Sequence, residues 1–162
     1  MIRPAVSSDR EAVNKIVTST GNFNEEEIAI ADELIDIYLN RPDQQDYFVY
    51  IYEDAGRVAG FLIVGPTPAT TGTYDMYWIA AHPDYYGKGV AQALDRFAES
   101  FVRDRGGYLL IAETSSQPSY ERTRAFYQKQ GYIVASHIAD YYKIGDDLIV
   151  FGKRVDVDKK AE

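Results

Sequence analysis

The chain has 162 residues, of which 46% are hydrophobic, enough for one domain with a substantial core. It has no cysteine and only two histidines, which excludes disulfides, thiolate metal sites and a cysteine nucleophile. A net charge of −8 repels phosphate backbones, so no nucleic acid is expected as a partner. No apolar run is long enough to span a bilayer, and charges interrupt the first residues, so a cytoplasmic protein with no membrane partner is expected. No HExxH-type spacing is present, and no metal site is expected.

In chain order, a short strand is predicted at Met1 to Val6. Asp9 is a candidate cap for a helix bearing Ala12, Val13, Ile16 and Val17 on one face. Asn24 is placed to cap a second helix, with Ile28, Ala31, Ile35 and Tyr38 at helical spacing and Pro42 beyond its end. The period then shortens to two. "YFVYIYEDAGRVAGFLIVG" predicts strand, turn and strand, with the turn at Asp54 to Gly56, and "TYDMYWIAA" predicts a third long strand.

A glycine-bearing loop follows, then a helix with Ala91, Leu94, Phe97, Ala98 and Phe101 as its stripe. "YLLIAET" reads as a strand buried on both faces, and "SYERTRAFYQKQG" as a helix closed by Gly131. Strands at Tyr132 to Ala139 and Leu148 to Val155 are predicted to flank a loop holding "DYYKIGDD". The pattern predicts an α+β layer structure with a mixed sheet. Residues 1–155 form one predicted domain, and residues 156–162 a frayed charged tail.

The stretch "HPDYYGKGVAQAL" asks why Gly87, Lys88 and Gly89 stand at the mouth of a helix, where glycine costs stability. It is not a Walker A loop, since His82 and Gly89 occupy the first glycine and the Ser/Thr positions. It is not a dinucleotide fingerprint either, because Gln92 stands at the third glycine. What remains is strand, tight loop and helix with small residues at Gly87, Gly89 and Ala91. There an anion such as a pyrophosphate can meet partnerless amides and the helix dipole. An ordinary βα turn with glycine for geometry is the alternative.

"IAAHPDYYGKGVAQAL" followed by "TRAFYQKQGYIV" resembles the GNAT superfamily of acyl-coenzyme A-dependent N-acyltransferases. The first half is similar to that family's [QR]xxGx[GA] pyrophosphate motif. The second is similar to its later FYxxxGF helix, here Phe126, Tyr127, Gly131 and Tyr132. The resemblance runs from Tyr47 onward. It implies a mixed, mostly antiparallel central sheet with helices on both faces. It also implies direct acetyl transfer from acetyl-CoA, as cosubstrate, to an amine. Two positions depart from the family pattern: Tyr86 replaces Gln or Arg, and Tyr120 replaces a common Asn.

The resemblance further implies cofactor contacts at Ile79, Ala81, Tyr86, Gly87, Lys88, Gly89, Ala91 and Gln92. Tyr127 matches the family's proton donor to the leaving thiolate. Asp75 aligns with a glutamate that serves as base in histone-acetylating members. Tyr77, Tyr141 and Tyr142 are candidate acceptor-binding residues, since aromatic faces beside carboxylates suit a cation. The acceptor is therefore expected to be a cationic primary amine, on a small molecule or a peptide. A non-catalytic acyl-CoA-binding module is the rival reading, and a homodimer is an open option.

Overall fold

A computed structural model describes residues 1–156; the expected frayed tail lies, but for Asp156, outside the described residues. Seven strands hydrogen-bond in the order β1-β2-β3-β4-β5-β7-β6, mostly antiparallel, and four helices accompany them. Two compact units divide the chain. The first comprises 1–66 and 77–98, the second 67–76 and the described residues from 99 onward.

In the first unit β1 (Ile2–Pro4) pairs antiparallel with β2 (Phe48–Asp54), which forms a hairpin with β3 (Arg57–Pro66) across a two-residue turn. Helices α1 (Arg10–Ser19) and α2 (Glu25–Asn40) bury Val13, Ile16, Val17, Ala31, Leu34 and Ile35. These pack with Val49, Ile51, Phe61 and Ile63, the alternate residues of β2 and β3 that share one face. On the other face of β3, Gly60 lies directly against Val90 and Leu94 of α3 (Val90–Asp104). The expected two-sided covering by helices is thus present at β3.

Capping differs from expectation at one helix and matches it at the other. Asn24 Oδ1 accepts the Glu27 N–H at 2.9 Å, and the Glu27 carboxylate accepts the Asn24 N–H at 2.8 Å, a reciprocal capping box. Asp9 makes no side-chain cap to α1. It is buried instead, accepts the Val6 N–H, and is gripped by both terminal nitrogens of Arg3 at 2.8 and 3.0 Å. That guanidinium holds the Asp9 carboxyl below its usual range.

In the second unit the first residues of β4 (Thr73–Ala81) run parallel to β5 (Leu109–Ser115), pairing from Thr73↔Leu109 to Asp75↔Ile111. β5 pairs antiparallel with β7 (Asp146–Arg154), and β7 with β6 (Ile133–Lys143). Leu110, Ala112 and Thr114 form the buried face of β5, while Glu113 on the other face is exposed. β5 is therefore not buried on both faces as predicted. α4 (Glu121–Lys129) follows, and Gly131 has φ +90° just past its end.

β6 overturns the expected loop. Strand pairing continues to Lys143↔Asp146, and only Ile144 and Gly145 remain as a turn. Asp140, with φ +54°, marks a break in register inside the strand rather than the start of a loop.

Candidate active site

The glycine loop lies in the first unit, at the end of β4. The His82 N–H donates to the Ala59 carbonyl of β3, and His82 Nδ1 accepts the Asp84 N–H, so this histidine caps the single 3-10 turn Pro83–Tyr85. Gly87 and Gly89 both have positive φ, +75° and +80°, which other L-residues adopt only under strain. A Cβ on either would meet nothing within 4 Å, so both backbones face open space.

The first hydrogen bond into α3 runs from the Ala93 N–H to the Gly89 carbonyl. The N–H groups of Val90, Ala91 and Gln92 precede it and have no backbone acceptor among the described residues. Exposed Lys88 lies with its Nζ 5.1 Å from the Tyr85 ring centroid, and Tyr86 is exposed beside it. Partnerless amides, positive dipole and one mobile cation make a donor set that fits a pyrophosphate such as that of coenzyme A. Upstream on β4, Ile79 is half-buried and Ala81 buried, and Tyr77 lies edge-on to Tyr47 at 5.2 Å.

The candidate acid–base groups lie in the second unit. Asp75 is half-buried, and its Oδ2 accepts the Thr67 hydroxyl at 2.8 Å. Parallel pairing puts Asp75 and Ile111 on one face of the sheet, and Glu113, two residues further along β5, shares that face. Desolvation first, then the like charge of Asp75, raises the Glu113 pKa, although the residue keeps an exposed surface. Sequence reading passed over Glu113; its one visible signal was a single charge inside an apolar run.

Tyr127 is buried, with Phe126, Tyr132 and Phe151 around its ring at 5.1–5.5 Å. Phe151 pairs with Ala112, so this aromatic cluster lies on the buried face of β5, opposite the face of Asp75 and Glu113. Tyr141 and Tyr142 stand exposed on β6, perpendicular to each other at 5.0 Å.

The acidic residues nearby are already engaged. Ser115 Oγ donates to the buried Asp146 carboxylate, and Asp147 holds His137 at 2.6 Å and accepts the Asp140 N–H. Those contacts, the backbone amide first, keep the Asp147 carboxyl below its usual range. Arg124 Nη1 donates to the Ser115 and Gln117 carbonyls, tying α4 to the end of β5.

The sequence profile of the acetyltransferase (GNAT) family matches residues 12–132. This chain belongs to the GNAT acetyltransferase family. A GNAT-family protein of known crystal structure from Desulfovibrio desulfuricans is 38% identical, covering 96% of this chain and 99% of its own, with a TM-score of 0.92. At 14% identity, an aminoglycoside 6'-N-acetyltransferase complexed with coenzyme A shares the fold, with a TM-score of 0.75 over 96% of this chain and 97% of that one. At 18% identity, the ribosomal-protein-S18-alanine N-acetyltransferase of Escherichia coli does so with a TM-score of 0.67, over 100% and 97%. No curated protein matches by sequence. The chain is thus a GNAT acetyltransferase with the expected sheet. Among the described residues no helix is long and apolar enough to cross a membrane, and no cluster of three or more His, Asp or Glu could hold a metal.

Proposed function

We propose that this GNAT acetyltransferase moves an acetyl group from acetyl-CoA to a cationic primary amine by direct transfer. The observation that carries the reading is the loop at Gly87–Gln92, where open glycine backbones stand beside the partnerless amides of Val90, Ala91 and Gln92. Those amides bind the pyrophosphate through backbone donors, which is how an acidic protein holds an anionic cosubstrate. Lys88 adds charge, Tyr86 lines the rim, and the main chain at Ile79 and Ala81 serves the thioester end. When bound, the thioester supplies the acetyl carbon on which the C–N bond forms as the C–S bond breaks.

The amine arrives protonated and needs an acceptor for its proton; the carboxylate pair Asp75–Glu113 supplies one. The Tyr127 hydroxyl stabilises and protonates the departing sulfur. In direct transfer the amine adds to the acyl carbon from above the carbonyl plane and the sulfur leaves as thiolate, so one group is needed to take the amine's proton and another to serve the sulfur. Within the second unit the carboxylates and the Tyr127 ring occupy opposite faces of the sheet, which supports these separate roles. Tyr77, Tyr141 and Tyr142 offer aromatic faces to the acceptor's cation. Residues 1–155 act in this reading as one acyltransferase domain, supported by a profile match that runs through both units.

The test is thiol release from acetyl-CoA across a panel of mono-, di- and polyamines, peptides and free amino acids. Turnover fastest with cationic amines bears the proposal out. Coenzyme A binding without turnover on any amine makes the chain a non-catalytic acyl-CoA-binding module instead.

A further inference from the structure

We propose that Glu113 is the residue that takes the proton from the acceptor amine, and that Asp75 acts through it as a positioning residue. The inference rests on the acetyltransferase reading above and assigns separate tasks to its two carboxylates. Within the second unit β4 and β5 pair from Thr73↔Leu109 to Asp75↔Ile111. β5 continues to Ser115, so Glu113 lies two residues beyond the partner of Asp75, on the face it shares with Asp75.

The two carboxylates are held differently. Asp75 accepts the Thr67 hydroxyl and is half-buried. Glu113 accepts no hydrogen bond among the described residues and keeps an exposed surface. A carboxylate whose charged form is stabilised by a hydrogen-bond donor is the weaker base, whereas one crowded by protein, faced by a like charge and still open to a ligand is the stronger one. Among the described residues no ion pair joins Glu113 to a cation, and the charge that acts on it is that of Asp75. Asp75 faces it from β4, and its β7 partner Val150 carries no charge, with Leu148 and Gly152 along the same face. Arg124 of α4 is spent on the Ser115 and Gln117 carbonyls. Two carboxylates whose surroundings differ in this way divide acid–base work between them.

The step balances. The ammonium proton passes to a Glu113 carboxylate oxygen, and the freed nitrogen lone pair forms the C–N bond. The C–S pair leaves on sulfur, which takes a proton from Tyr127. The amine's second proton leaves with product formation. Glu113 and Tyr127 exchange their protons with solvent, for a net release of one proton per turnover.

The experiment compares E113Q, E113D and D75N by pH–rate profile, by calorimetric coenzyme A affinity and by carbon NMR titration of the Glu113 carboxyl. E113Q is expected to lower kcat/KM by about 10²- to 10⁴-fold and remove the acidic limb, with coenzyme A affinity unchanged. E113D should recover part of the rate. D75N should retain the acidic limb but move it to lower pH, because the like charge that raises Glu113 is gone, with kcat within about tenfold of wild type. Retention of the limb in E113Q together with its loss in D75N overturns the proposal. If wild-type protein acetylates no amine at all, the functional reading fails by itself and NMR decides for Glu113. A titration midpoint that falls in D75N then supports the pairing, and an unmoved midpoint overturns it.

Discussion

Gly60→Ala tests whether the approach of β3 to α3 sets the coenzyme loop. A Cβ at residue 60 would stand 2.7 Å from Val90 Cγ1, 2.8 Å from the Ala80 carbonyl oxygen and 3.2 Å from Leu94 Cδ1. The valine methyl can rotate; the carbonyl is main chain of β4 and cannot. Ordinary contact begins near 3.4 Å, so strand or helix must give by about 0.6 Å. Overpacking of this kind costs about 1–3 kcal/mol, of which alanine's lower backbone entropy returns up to about 1 kcal/mol. At this chain length each kcal/mol moves the melting midpoint by about 2–4 °C, so a net loss of 1–2 kcal/mol lowers it by about 2–8 °C.

Because Val90 is the first residue of α3, the same displacement moves the amides that receive the pyrophosphate. A several-fold loss of coenzyme A affinity should therefore accompany the melting shift. Gly152→Ala is the control. Its Cβ would meet Ala135 Cβ at 3.5 Å and Leu109 Cδ1 at 3.8 Å, both ordinary contacts, so neither quantity should fall. Calorimetric titration and thermal melts of the two variants decide. Equal melting points and equal affinities would refute the packing argument.

Tyr127→Phe keeps the ring cluster, so coenzyme A affinity should hold while turnover drops by about ten- to a thousand-fold in a thiol-release assay under chemistry-limited conditions. Gly89→Val forces a β-branched residue to φ +80°; coenzyme A binding should vanish in calorimetry while circular dichroism stays native, since the space around residue 89 is open. Asp9→Asn should lower stability by about 1–3 kcal/mol at pH 7, read from denaturant midpoints. The Asp9 pKa is depressed in the folded state, so its stabilisation is complete above the unfolded carboxyl value near 3.9 and fades as pH falls through the folded value. The gap between wild type and Asp9→Asn should therefore narrow progressively as pH falls below about 4.

Local chemistry made much of the fold legible. The run Thr73–Ala81 is dense in aromatic and β-branched residues and forms β4 with the bounds its pattern implies. Asn24 marks the start of α2 by residue type, and the structure adds Glu27 as the reciprocal half of its capping box. β6 was misread because Asp, Tyr and Gly between Asp140 and Asp147 look like loop chemistry; the strand absorbs Asp140 as a left-handed kink braced by Asp147. Asp9 was misassigned because its strongest partner, Arg3, comes from β1 rather than from the helix ahead. Glu113 was hidden for a related reason. Its neighbour Asp75 is 38 residues away in sequence and reaches it through a parallel strand pairing that no local pattern encodes. The glycine loop was readable because its demand for positive φ is written in the residue type itself.

The position of β7 has a consequence for how the chain is made. Among the seven described strands it is the last in chain order, yet it lies between β5 and β6 and pairs with both. Until Asp146–Arg154 leaves the ribosome, β5 offers the whole edge that β7 will occupy, with Leu110 and Ala112 uncovered by Phe151. A nascent chain in that state presents an apolar strand edge to its neighbours, the situation in which chains pair with each other. A nonsense change after Gly145 would make that state permanent. Loss of β7 with everything that follows it should thus produce an aggregating protein rather than a weakened enzyme.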